Sequence, residues 1–83
     1  MSWNYRVMRH TYNDVLSGGS ETYLAIHEVY YKNSDVDELL VSASDVAFTK
    51  NPVFVGGETV TELSAVLIRM LQSLDKPIIE YAE

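Results

Sequence analysis

A single segment of the chain has helical periodicity, and both of its ends are marked. Thr59 and Glu62 have the spacing of a capping box. Pro77 forbids continuation, so a helix starting there stops near Asp75. Between these signals Val60, Leu63, Val66, Leu67, Met70, Leu71 and Leu74 recur at helical spacing, with Thr61, Glu62, Arg69, Gln72 and Ser73 on the opposite face. This pattern predicts one amphipathic helix with its stripe of Leu67 and Leu71 laid on a sheet. The strands signalled elsewhere in the chain are then cross-braced by that helix.

The strand signals lie mainly on the N-terminal side. Trp3 to Tyr12 alternates roughly and is rich in β-favouring residues, as is Thr22 to Lys32. Ser17-Gly18-Gly19-Ser20 is a turn cluster between them, so the two runs predict an antiparallel hairpin. Asn33 to Glu38 is polar and turn-like. Leu39 to Thr49 reads either as a short helix capped at Ser34 or Asp35 or as a third strand, the strand being best supported at Val46 to Lys50. Ile78 to Tyr81 predicts a short final strand at an edge. The expected fold is α+β: a small antiparallel sheet in β-β-β-α-β order with the amphipathic helix packed across one face, one domain over residues 1–83.

A turn centred on Gly18-Gly19 places Arg9 opposite Glu28 and His10 opposite His27. Trp3, Tyr5, Val7, Leu24, Ile26 and Tyr30 then share one face of the hairpin. Met8, His10, Tyr12, Tyr23, His27, Val29 and Tyr31 share the other. Both faces are apolar or aromatic, and one helix covers only one of them.

Composition sharpens that mismatch. A chain of 83 residues buries only about 60–65% of its unfolded surface, and without cysteine no disulfide compensates. Self-association would supply the missing burial. The second sheet face is therefore the expected interface of a homodimer or a dimer of dimers, through Met8, Tyr12, Tyr23, Val29 and Tyr31. Ile68, which departs towards the polar side of the helix, adds to it. The competing account is that Leu39 to Phe48 folds over the second face and makes a self-sufficient monomer.

Several chemistries are weighed against plainer roles. His27 and Glu28 are neighbours in a strand and point to opposite faces, so they cannot share a proton. His10 and His27 could hold a metal ion at a subunit interface together with nearby tyrosines, but opposed histidines also serve as packing residues, and no cofactor is expected. Six tyrosines and one tryptophan suit base stacking. The formal charge of −6 and the scattered Lys and Arg argue against nucleic acid. Gly56-Gly57-Glu58-Thr59 precedes the helix without the lysine of a P-loop. Neither Ser64 nor Ser73 has a histidine on a matching surface. No catalytic set emerges, and the expectation is a protein without enzymatic activity.

Targeting signals point the same way. The start, Met1-Ser2-Trp3-Asn4-Tyr5-Arg6, does not read as a signal peptide. No unbroken apolar stretch exceeds four residues, as at Ala65 to Ile68, against about 20 for a membrane span. The expected location is the cytoplasm, with no membrane partner.

Four strings stand out together: Trp3-Asn4-Tyr5-Arg6-Val7; Ile26-His27-Glu28-Val29-Tyr30-Tyr31; Asn51-Pro52-Val53; and Gly57-Glu58-Thr59 followed by Glu62-Leu63, Met70-Leu71 and Lys76-Pro77-Ile78-Ile79. In these the chain resembles a family of short bacterial proteins with a W-N-Y-R-V start, an I-H-E-V-Y-Y strand and a G-E-[ST]-x-x-E-L helix. That family brings no settled activity. From Gly57 to Leu74, and in its order of elements, the chain is also similar to HicB-type antitoxin domains, though it lacks their appended DNA-binding segment. This second resemblance implies a protein partner and oligomerisation. The reading that results is a non-enzymatic, self-associating protein-interaction module of an antitoxin-like or regulatory kind. The alternative is a small-ligand or metal binder at His10 and His27.

Overall fold

In the computed structural model the described residues, 2–32, 37 and 39–82, form two long strands, a short third strand, one helix and a final edge strand. Strand β1 covers Ser2–Asp14 and β2 covers Gly19–Tyr31. A 3-10 turn at Ala43–Asp45 leads into β3, Ala47–Phe48. Helix α1 spans Val60–Ser73, and β4 is Ile79–Ala82. The order β-β-β-α-β is the expected one. Of the turn expected over residues 33–38, all but Asp37 lies outside the described residues.

The sheet runs β3-β2-β1-β4 and is mixed rather than wholly antiparallel, because β4 pairs with β1 in parallel. The connection explains this. Strand β3 is antiparallel to β2 and therefore runs with β1. A helical crossover returns the chain to the end of the sheet where β3 began, which makes the following strand parallel. The third strand is shorter than Val46 to Lys50, but its path continues along β2, with Thr49 N–H donating to the Glu28 carbonyl at 3.1 Å and Val53 N–H to that of Ile26 at 2.9 Å.

The hairpin register differs from the expected one by four residues along β2: Arg9 faces Leu24 and His10 faces Tyr23. The cause lies in the turn. Asp14 Oδ1 accepts from the amides of Leu16 and Ser17, and the Asp14 carbonyl accepts from Gly18 N–H at 2.9 Å. Gly18 closes this loop with φ of 72°, a conformation that glycine adopts without steric penalty. The turn is thus centred before the glycines. The displacement is even, so every side chain keeps its assigned face.

Each face of the sheet is covered by the chain's own residues at its centre. On one, Met8, Val29, Tyr31, Val46 and Ile79 form the core, with Val41, Ala43, Phe48 and Tyr81 packed against it. On the other, Tyr5 and Val7 are buried where α1 packs on β1. The helix meets the sheet through Met70 and Ser73, its buried residues. Leu67 and Leu71 do not face the sheet as expected. They lie on the flank of the contact, 49% and 66% exposed.

The helix starts as its sequence dictates. Thr59 Oγ1 accepts from Glu62 N–H at 3.1 Å, and the Glu62 carboxylate accepts from Glu58 N–H at 2.9 Å. Gly57 sits close beneath that first turn. A methyl group at this position would lie 2.9 Å from the backbone nitrogen of Leu63 and 3.1 Å from Glu62 Cβ. Gly57→Ala is therefore expected to cost about 1–3 kcal/mol by forcing the helix away. Chemical denaturation would read this as a lowered midpoint, and an unchanged midpoint would disprove the close approach.

Candidate functional site

The six residues expected to form an interface separate into three groups. Met8, Val29 and Tyr31 are filled in by the chain itself and have essentially no surface left. The segment 41–48 covers them, as the competing account has it, so these three residues are internal to the chain. Tyr12 and Tyr23 lie further along the hairpin and are part-exposed, with ring centroids 6.1 Å apart. Ile68 lies on the outer side of α1, exposed.

The histidines meet, though not as direct cross-strand partners. On their shared face the Met8–Ala25 pair lies between the His10–Tyr23 and Arg6–His27 pairs. Across it His10 Nε2 and His27 Nε2 come within 2.8 Å, both residues buried. His27 Nδ1 lies 2.8 Å from the Thr49 carbonyl, which can only accept. The neutral His27 therefore carries its proton on Nδ1 and offers the Nε2 lone pair to the N–H of His10. Tyr23 stacks on His10 at 4.6 Å, with Tyr81 edge-on to His10 and Phe48 edge-on to His27. Burial, the strongest influence, pushes His27 below its ordinary value of 6.5; the Thr49 hydrogen bond opposes this and the His10 charge adds to it. Chemically, the pair is a hydrogen-bonded brace between β1, β2 and the strand that follows. Its two Nε2 atoms are directed at each other, and among the described residues no group of three or more His, Cys, Asp or Glu gathers to hold a metal ion.

Arg6 is the residue that sequence reasoning missed. It is fully buried; one guanidinium nitrogen donates to Tyr31 Oη at 2.9 Å and another to the Pro77 carbonyl at 2.7 Å. Tyr31 in turn donates to Asn4 Oδ1 at 2.7 Å. The network ties the helix-to-β4 connection to the start of the hairpin. Arg9, expected to pair with Glu28, pairs instead with Glu80 across the parallel β1–β4 register at 2.6 Å. Glu28 accepts from the Tyr30 hydroxyl.

Two surface features remain. The first is apolar: Val60, Leu67, Leu71 and Leu74 recur along the flank of α1, with Ile68 beyond them, all exposed. The signal was present in the sequence, because the apolar arc of the helix is wider than one contact with a sheet requires. The second is a cleft of about 290 Å³ where α1 crosses the start of β1, lined by Trp3, Asn4, Tyr5, Arg69, Gln72 and Lys76. Among the described residues no helix is long and apolar enough to cross a membrane. Compared with family models, curated proteins and solved structures, the chain matches none of them.

Proposed function

We propose that this chain is a non-enzymatic interaction module of an antitoxin-like or regulatory kind, and that a second copy seats on the outer flank of α1. The observation that carries the reading is the exposed row of Val60, Leu67, Leu71 and Leu74. These residues follow a three- and four-residue rhythm, the spacing by which helices pair. Large apolar side chains in a contiguous row are seldom left to water by a soluble monomer.

Area supports the same reading. The accessible surface of the single chain is 5924 Å², whereas a compact monomer of its mass would expose about 5,000 Å². The excess, roughly 900 Å², is of the size each partner contributes to a standard interface, and the flank of α1 shares it with the exposed Val15, Leu16, Leu40 and Phe54. The radius of gyration, 14.3 Å, likewise exceeds the value of about 12 Å for a compact chain of this length. A two-fold axis beside Leu71 would bring the row against its own copy, giving the closed symmetry common in homo-oligomers.

Light scattering behind size exclusion tests this directly. The wild type is expected at twice the chain mass at tens of micromolar. Leu67→Glu with Leu71→Glu is expected to yield a monomer that keeps its circular-dichroism spectrum, because neither leucine belongs to the intrachain core. A wild-type monomer at that concentration defeats the reading. A dimer that survives both substitutions removes α1 from its interface.

A further inference from the structure

We propose that the cleft between α1 and the start of β1 binds a small phosphate monoester bearing a flat ring, of nucleoside monophosphate size. The cleft is lined by six residues, and its charge runs against that of the protein. The chain carries six Lys and Arg against twelve Asp and Glu. Two of those six cations, Arg69 and Lys76, line this one cleft, and no carboxylate lines it. Of the others, Arg6 is committed inside to Tyr31 and Pro77, and Arg9 to Glu80. Among the described residues, neither Arg69 nor Lys76 has an ion-pair partner.

The helix creates this convergence. Arg69, Gln72 and Lys76 follow at intervals of three and four, so they project from one side of α1 and the turn after it, beside the Met70 and Ser73 contact with the sheet. Strand β1 supplies the opposite wall. Trp3 and Tyr5 alternate onto the same face two residues apart, their rings edge to face at 5.4 Å and 81°. Tyr5 is buried and fixed, whereas Trp3 is 45% exposed and presents aromatic surface to the opening.

Each wall suits one part of the ligand. A guanidinium and an ammonium together match the two charges of a phosphate monoester, the guanidinium offering paired donors to two oxygens. The Gln72 amide adds a neutral donor. Aromatic side chains give a flat ring a stacking surface without demanding a particular base. The volume of about 290 Å³ is at the lower end of ligand sites, which favours a monophosphate over larger nucleotides.

Trp3 is the sole tryptophan of the chain, so emission excited at wavelengths that the six tyrosines do not absorb reports on this cleft. Adenosine monophosphate, adenosine and inorganic phosphate would each be titrated against the wild type and against Arg69→Gln with Lys76→Gln. Adenosine monophosphate is expected to change Trp3 emission saturably, with a dissociation constant of about 1 mM or tighter. Adenosine should bind at least about tenfold more weakly, since it lacks the anion. The double variant should lose the response while keeping its thermal melt, as neither side chain is in the core. No saturable change up to about 10 mM, equal binding of adenosine, or a response retained in the double variant would each overturn the assignment. The cleft lies within one chain, so Leu67→Glu with Leu71→Glu should retain the response whether or not the protein dimerises.

Discussion

Arg6→Ala is expected to leave most of the protein unfolded at room temperature. Arg6 has no exposure to solvent, and its guanidinium donates to Tyr31 Oη and to the carbonyl of Pro77. Truncation to alanine opens a cavity and takes donors from the buried Tyr31 hydroxyl and the part-buried Pro77 carbonyl at once. Large-to-small changes in a core cost about 2–5 kcal/mol, and each stranded polar group adds about 1–3 kcal/mol. The whole stability of an 83-residue domain is only about 4–12 kcal/mol. The loss falls where the fold is least redundant, since Pro77 lies in the connection that places β4 beside β1. Arg6→Met separates volume from hydrogen bonding. It refills the space without a buried charge, and exchanging buried charge for apolar volume is often close to neutral. Urea denaturation followed by circular dichroism should therefore rank wild type, Arg6→Met and Arg6→Ala in descending stability. If Arg6→Ala remains within about 1 kcal/mol of wild type, the guanidinium does not hold the connection.

The elements were legible in the sequence because each carries a local signal. The Thr59–Glu62 pair and Pro77 bracket α1, and alternation marks β1 and β2. What was not legible depends on tertiary contacts. The parallel pairing of β4 follows from the route of the crossover, which no residue of Ile79–Ala82 encodes. The register was displaced because Asp14 binds the turn amides, so Val15, Leu16 and Ser17 share the loop with Gly18, and Gly19 already belongs to β2. The inner face was open to two covers, a partner copy or Leu39 to Phe48, because that segment reads ambiguously; Val46 and Phe48, with Val41 and Ala43, cover it from within the chain. The helix flank was missed for a related reason. Periodicity identifies an apolar arc but not which part of a wide arc meets the sheet. The small Ser73 allows close approach on one side, and that choice turns Leu67, Leu71 and Leu74 outward. The cleft was hidden by distance in sequence, since Trp3 and Lys76 come together only when β1 and α1 cross.

Acidification is expected to destabilise the protein well before its carboxylates are protonated, and His27 is the reason. In the folded chain burial holds His27 below 6.5, whereas unfolded it would ionise near that value. Above about pH 7.5 both states are neutral there, and the histidine adds no pH dependence. As pH falls through about 6.5 the unfolded chain binds a proton that the folded chain refuses, so stability falls, with a limiting slope of about 1.4 kcal/mol per pH unit for one proton. The decline ends only when pH reaches the depressed folded value. Structure gives the cause: protonating His27 at Nε2 sets an N–H against the N–H of His10 2.8 Å away, between the rings of Tyr23, Tyr81 and Phe48. Asp14 and Asp45, held below their usual 3.8 mainly by backbone amides, add acid sensitivity only at far lower pH, so the two windows separate. Urea midpoints measured at about pH 7.5, 6.5 and 5.5 should decline for the wild type. They should stay nearly level for His27→Gln, which keeps an amide donor towards Thr49 but cannot titrate. The slope is the readout, so a lower overall stability of the variant does not obscure it. A wild-type profile that is flat over this range, or a slope that persists in His27→Gln, would show that the buried imidazole pair does not govern the acid response.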